Sequence, residues 1–216
     1  TGMIISGAEP LWLIPKRFDD WGIWGNVTPE SVEEELSTHD NISMVWITNP
    51  TYEGVVSDIK SIAAVCKKYK VPLIVDEAHA CLWNFNKHLP TPALQLGADA
   101  VVHSLHKTGG SMSQSSMLHI AENSMLDVDA VEKALKLLHT TSPSLILLAS
   151  LDAARANLES QRGKKQLERA IANAKYLRRE IEQMEHIHDL KPDFGYKTDI
   201  TKVFIKDDRL SGKRLE

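Results

Sequence analysis

The chain has 216 residues, enough for one domain with a sizeable core, and its 43% hydrophobic and 25% charged residues are the balance of an ordinary globular protein. A formal net charge of −4 recommends neither nucleic acid nor an anionic membrane as a partner, and no apolar run approaches the ~20 residues that a bilayer crossing needs. The two cysteines, Cys66 and Cys81, offer no disulfide framework and no metal-ligand spacing, so no metal site is expected; a reducing cytoplasmic compartment fits them.

In chain order, Ser6-Gly7 reads as the stop of a helix, because Gly is favoured just past a helix end. Residues 10–14 (PLWLI) predict a strand. Residues 16–27 hold Trp21, Trp24, Gly22 and Gly25 and read as a loop pinned by aromatic packing, with a substrate-facing loop as the lesser reading. Thr28-Pro29 is a helix start, a capping hydroxyl followed by Pro at the first helical position. Val32 and Leu36 lie on the inner face of that helix, and Glu33, Glu34 and Glu35 on a solvated one. Residues 43–48 (SMVWIT) predict a strand that runs into a Pro/Gly loop at 49–54. Residues 58–69 predict an amphipathic helix with Ile59, Ile62, Ala63, Val65 and Cys66 inward, Cys66 being a small core residue.

Residues 71–119 organise the chain. The apolar run 71–75 ends at Asp76, and the run 98–102 leads to Ser104, His106 and Lys107. Short β-branched runs bounded by turn residues predict buried strands, and strand, helix, strand in this order predicts a right-handed βαβ unit with parallel strands. Open α/β sheets bind ligands at the carboxyl ends of their strands. An acid and a lysine on neighbouring strand ends are what pyridoxal phosphate requires: the amine condenses with the aldehyde, and the acid keeps the pyridine nitrogen protonated. On the residues alone, Lys107 reads equally as a surface lysine in a Gly-rich loop, and Asp76 as a helix-capping aspartate. Residues 77–89 are irregular, 92–96 suit a short helix, and 115–120 form a returning strand. Helices follow at 127–138 and 144–158. A long helix begins near Lys164, with Leu167, Ile171, Ala174, Leu177, Ile181 and Met184 as its apolar face and its Arg and Lys residues on a solvated one. Residues 202–205 predict a last short strand.

The stretches TNPTYEGVVSDI, DEAH and SLHKTGGSMSQSSMLH resemble the Orn/Lys/Arg decarboxylase family of fold-type-I pyridoxal phosphate enzymes. The likeness runs from SGAEP to DITKV and is most specific at S-x-H-K followed by QSSMLH. It implies an α/β fold, a three-layer αβα sandwich with a mostly parallel sheet, as in the aspartate aminotransferase-like large domain. It implies pyridoxal 5'-phosphate as cofactor, Lys107 as the Schiff-base lysine and Asp76 as the partner of the pyridine nitrogen. Ala78 would face the ring and Glu77 would point away. His79 would lie near the phenolic oxygen, a packed structural histidine being an equal reading. Ser104 and His106 would contact the phosphate or its surroundings, with the glycines at 109 and 110 letting backbone approach a bulky cofactor. Gln114, Ser115 and Ser116 would reach a partner subunit's site, since the family builds its sites at a dimer interface; a polar strand start is an equal reading. His103 and His119 look structural. Against the family pattern, an N-terminal portion with the phosphate loop and a C-terminal domain fall outside the chain. Residues 1–216 are therefore expected to be part of a cofactor-binding major domain, inactive in isolation.

The activity so implied is decarboxylation of arginine, lysine or ornithine to the amine, a reaction of polyamine biosynthesis. Aminotransferase and cysteine desulfurase chemistries use the same cofactor, although a desulfurase needs a nucleophilic Cys on a later loop and none follows Cys81. A non-catalytic remnant of the fold is a further alternative. VDEAH is also the metal-binding box of nucleic-acid helicases, but neither a G-x-x-x-x-G-K-S/T loop nor an S-A-T stretch accompanies it.

Overall fold

The four-stranded sheet that carries the strand ends above is the centre of the computed structural model, which describes residues 2–190 and 197–210. Its helices are α1 (Gly2–Ser6), α2 (Pro29–Thr38), α3 (Ile59–Tyr69), α4 (Leu105–Thr108), α5 (Val128–Leu138), α6 (Leu145–Glu159) and α7 (Gln161–Ile181). Its strands are β1 (Arg17–Phe18), β2 (Ile23–Trp24), β3 (Val45–Thr48), β4 (Val55–Val56), β5 (Leu73–Asp76), β6 (Ala100–His103), β7 (Met117–Ile120), β8 (Ile187–Asp189), β9 (Lys197–Thr198) and β10 (Ile205–Asp207). The central order is β3-β5-β6-β7. β3, β5 and β6 run parallel, with Thr48 opposite Asp76 and Asp76 opposite Val102, and β7 returns antiparallel along β6. The architecture is α/β with a mostly parallel sheet, as the sequence predicts.

The βαβ unit forms because each part agrees locally. Asp58 Oδ1 accepts from Ser61 N at 3.2 Å and starts α3, and Lys70, at φ 57°, ends it. The inner face of α3 (Ile59, Ile62, Ala63 and Cys66) packs with Val32 and Leu36 of α2 onto Val45, Ile47, Leu73, Val75 and Val101 of the sheet. Ile62 and Leu73 are fully buried; each such side chain contributes about 1.5–3 kcal/mol relative to exposure. α2 begins with a reciprocal cap, in which Thr28 Oγ1 accepts from Ser31 N and Ser31 Oγ from Thr28 N, both at 3.2 Å. Burial pushes the Cys66 thiol up to about 12, so it stays protonated in the core.

Five expectations are corrected. Residues 10–14 form no strand; Leu13 packs against the core, but Leu11, Trp12 and Ile14 are exposed, and no strand among the described residues pairs with the segment. Residues 16–27 contain the β1–β2 hairpin, where Phe18 and Ile23 are buried and Trp21 packs on Phe204. The strand predicted at 43–48 begins only at Val45. The strand predicted at 202–205 instead starts at Ile205 and pairs with β8. The apolar face of α7 buries Leu167, Ile171, Ala174 and Ile181, but Leu177 and Met184 are largely exposed. Arg178 takes the inward place. It is ion-paired with Asp189 at 2.7 Å and donates to the main-chain oxygens of Ile200 and Lys202. No helix among the described residues is long and apolar enough to cross a membrane.

Candidate active site

β3, β5 and β6 present three loops at one edge. The first is the 49–54 loop, tied to β5 by Asn49 N, which donates to Asp76 O at 2.9 Å. The second begins at Asp76, whose Oδ1 accepts from Ala78 N at 3.0 Å, a local turn that aims the carboxylate. The Asp76 Oδ2 atom makes no hydrogen bond among the described residues. The third is α4, a single turn that follows β6 and carries Lys107 on the surface.

The structure brings Lys107 and His79 together, with Nζ 3.2 Å from Nε2. His79 is half-buried, and the edge of its ring meets Tyr52 at a centroid separation of 5.5 Å. Desolvation lowers the pKa of its imidazole, Lys202 and Lys107 adding to the effect and Asp76 opposing it. The ring is therefore biased to the neutral form. Ala78, whose N–H closes the Asp76 turn, is 8% exposed.

Ser104 and His106 sit at the α4 turn, and neither side chain has a hydrogen bond to Lys107 Nζ or to the His79 ring among the described residues. Ser104 O accepts from Lys107 N at 3.0 Å, and its hydroxyl makes no capping bond. His106 Nδ1 donates to Ser115 O at 2.6 Å, tying α4 to the returning loop. Ser115 itself is 3% exposed and bonded to Met112 O and Ser111 Oγ. It faces inward rather than toward a partner, whereas Gln114 and Ser116 are exposed. Gly109 has an internal reason to be glycine: a Cβ there would meet Leu105 O at 2.9 Å and Cys81 Sγ at 3.2 Å.

Glu77 points into the fold. It is fully buried and accepts from Ala93 N at 2.9 Å and from His103 Nε2 at 3.1 Å. The helicase reading needs that carboxylate at the site, and the structure removes it. Cys81 is buried behind α4 with Sγ 3.0 Å from Thr108 Oγ1, and burial raises its thiol. A buried, protonated thiol is a poor nucleophile.

Residues 1–205 match the model of the family described as Orn/Lys/Arg decarboxylase, major domain. The chain belongs to the Orn/Lys/Arg decarboxylase family. An arginine decarboxylase of Bacillus anthracis is 36% identical over the whole of this chain, which covers 45% of that protein. A solved constitutive lysine decarboxylase of Escherichia coli aligns with a TM-score of 0.69 at 25% identity, over 88% of this chain and 29% of that one. A pyridoxamine-pyruvate aminotransferase from Mesorhizobium loti shares the fold, with a TM-score of 0.60 at 20% identity over 80% of this chain and 47% of the other. The chain thus spans a little under half the length of the Bacillus anthracis relative. Its fold is the large domain of fold-type-I pyridoxal phosphate enzymes.

Within this decarboxylase-family domain, sequence reasoning missed the groups that arrive from the far end of the chain. Lys202 Nζ lies 3.3 Å from Tyr52 O and 3.4 Å from His79 Nδ1. Asp199, 2% exposed, accepts from Trp83 Nε1 at 2.8 Å, while Asp199 N donates to Gly54 O at 2.8 Å. One signal for this closure was present: Arg178 falls on the 167–171–174–181 stripe of α7, where a charge has no place unless it is paired.

Proposed function

We propose that this chain is the cofactor-binding major domain of a pyridoxal 5'-phosphate-dependent decarboxylase acting on arginine, lysine or ornithine and releasing CO2 and the corresponding amine. The observation that carries the reading is the Lys107–His79 contact of 3.2 Å on the same sheet edge as the Asp76 carboxylate. The donor set fits the cofactor. Asp76 has an oxygen without a protein partner among the described residues, Lys107 is an exposed amine, and Ala78, whose N–H closes the Asp76 turn, carries only a methyl group. When bound, pyridoxal phosphate supplies an electron sink for the pair left on Cα as the carboxylate departs.

The residues of the chain do the rest. Asp76 holds a proton at the pyridine nitrogen through a charge-assisted hydrogen bond. The Lys107 amine would hold the cofactor and would return a proton to Cα. His79 orients the Lys107 amine and would donate to the phenolic oxygen of a bound cofactor. Ser104 and His106 would supply a hydroxyl and an imidazole to the phosphate, His106 through Nε2 because Nδ1 is engaged by Ser115 O. The thiols of Cys66 and Cys81, free and buried, suit a reducing cytoplasm. Leu137, Leu145 and Ile146 are 86%, 77% and 69% exposed on α5 and α6. Such a face suits a homodimer contact, with Gln114 and Ser116 extending to the neighbouring subunit.

The test is release of labelled CO2 by the natural full-length protein at saturating pyridoxal phosphate. Turnover of at least one of arginine, lysine or ornithine is expected, and Asp76→Asn should keep the fold and lose most of it. Silence on all three from a folded, cofactor-loaded protein would move the reading to another chemistry of this fold.

A further inference from the structure

The parallel ladder between β5 and β6 ends where the candidate site begins. Its last rung pairs Asp76 with Val102. Beyond that rung one strand turns into the Asp76 loop and the other into α4. The next residues, Glu77 and His103, are joined through their side chains instead: Glu77 Oε2 lies 3.1 Å from His103 Nε2, and both residues are buried, Glu77 completely. Side chains alternate across a sheet. Glu77 therefore follows Val75, and His103 follows Val101, onto the face that α3 covers, whereas Asp76 takes the opposite face. Glu77 Oε1 accepts from Ala93 N at 2.9 Å, and Ala93 belongs to the same core cluster. The His103 ring meets the edge of His119 on β7, with centroids 5.0 Å apart.

Two other side-chain contacts join the same two segments, and each is the weaker tie. The Lys107–His79 contact uses the exposed amine that a cofactor would take. The contact of Cys81 Sγ with Thr108 Oγ1 at 3.0 Å involves a thiol, a weak donor and acceptor. The Glu77–His103 contact engages no group of the site and lies in the core, with both carboxylate oxygens occupied. Breaking such a contact strands a buried polar group, which is costly. Either group carrying the shared proton gives the same link, so no particular tautomer is required.

We propose that Glu77 and His103 are positioning residues: their buried contact clamps the two strand ends from the far face of the sheet, just past the last ladder rung, and so fixes the spacing between the Asp76 turn and the α4 turn that carries Lys107. A planar ring of fixed size can engage both side chains only if that spacing is held before it binds. This consequence rests on the cofactor reading given above; the clamp itself does not.

The test uses the natural full-length protein. The double variant Glu77→Leu/His103→Phe replaces the pair by apolar side chains of similar bulk, an exchange that buried ion pairs often tolerate. His103→Asn, too short to reach Glu77, breaks the link in a second way. Glu77→Gln keeps an acceptor for Ala93 N and a partner for His103. Amide exchange in the cofactor-free protein, read by mass spectrometry, compares the turns at 77–80 and 104–108 with the strands at 72–75 and 99–102. Both link-breaking changes should speed exchange at the two turns by about tenfold, the lower end for a hydrogen bond to a charged group, and leave the strands unchanged. They should also raise the Kd for pyridoxal phosphate by about tenfold, whereas Glu77→Gln should stay within about twofold of the parent in both measurements. Parent-like exchange in both link-breaking variants would overturn the proposal. So would an equal rise in turns and strands, which marks a loss of global stability, or a Glu77→Gln variant as impaired as the double one. If the full-length parent takes up no pyridoxal phosphate, the function reading fails while the exchange pattern still decides the clamp.

Discussion

Trp83 and Asp199 are joined across 116 positions of the chain by an indole N–H donating to a buried carboxylate at 2.8 Å. Asp199 Oδ1 is taken by Thr201 N and Oγ1, so Oδ2 is left for Trp83, and this bond joins the Lys202–His79 contact and the packing of Ile200 in holding the 197–202 arm against the irregular segment after β5. Trp83→Phe keeps the packing and leaves Oδ2 without its donor. A loss of about 1–3 kcal/mol in unfolding free energy is expected, read by urea denaturation, with reduced amide protection in 197–202. Unchanged protection there would show that the arm is held by other contacts.

Gly54 and Lys202 set a second test of the same closure. Gly54 has φ +97°, and a Cβ there would come within 2.9 Å of Lys202 Cβ; Gly110 has φ +91° and open space around it. Ala at either position pays the backbone strain of about 1–3 kcal/mol, but only Gly54→Ala also collides with the arm. Gly54→Ala should therefore destabilise more than Gly110→Ala in parallel denaturations. Equal costs would mean that Lys202 is free to move aside.

Much of the site was legible before any coordinates, for a definite reason. Buried parallel strands are continuous β-branched runs, so 71–75 and 98–102 declared themselves, and the polar residues that end them fall at the ligand edge. What was illegible depends on partners distant in sequence. The apolar run 10–14 looks like a strand because composition cannot show whether a ladder partner lies beside it. Glu77 and His103 are 26 positions apart, and nothing in either neighbourhood announces a buried pair. Lys202 looked like the start of a strand; its importance comes from Arg178, Asp199 and Trp83 converging on one turn, which leaves no periodic trace.

His79 and His119 make acid stability a prediction with a sign. Burial lowers both imidazoles below the ordinary 6.5, with Lys202 and Lys107 adding to the effect at His79 and His103 at His119. His119 Nε2 is buried with no hydrogen-bond partner among the described residues. Between the folded and unfolded values the unfolded chain binds more protons, so stability is fully present above pH 6.5 and is lost as pH falls through the folded values. His119→Leu should flatten that decline. A variant that tracks the parent at every pH would remove His119 from the account.

The assignment of Lys107 as the cofactor lysine is tested most directly by reducing the pyridoxal phosphate-loaded natural protein with borohydride and mapping the pyridoxyl group by peptide mass spectrometry. The account predicts the label on Lys107. A label on Lys202, or on any other lysine, would contradict it.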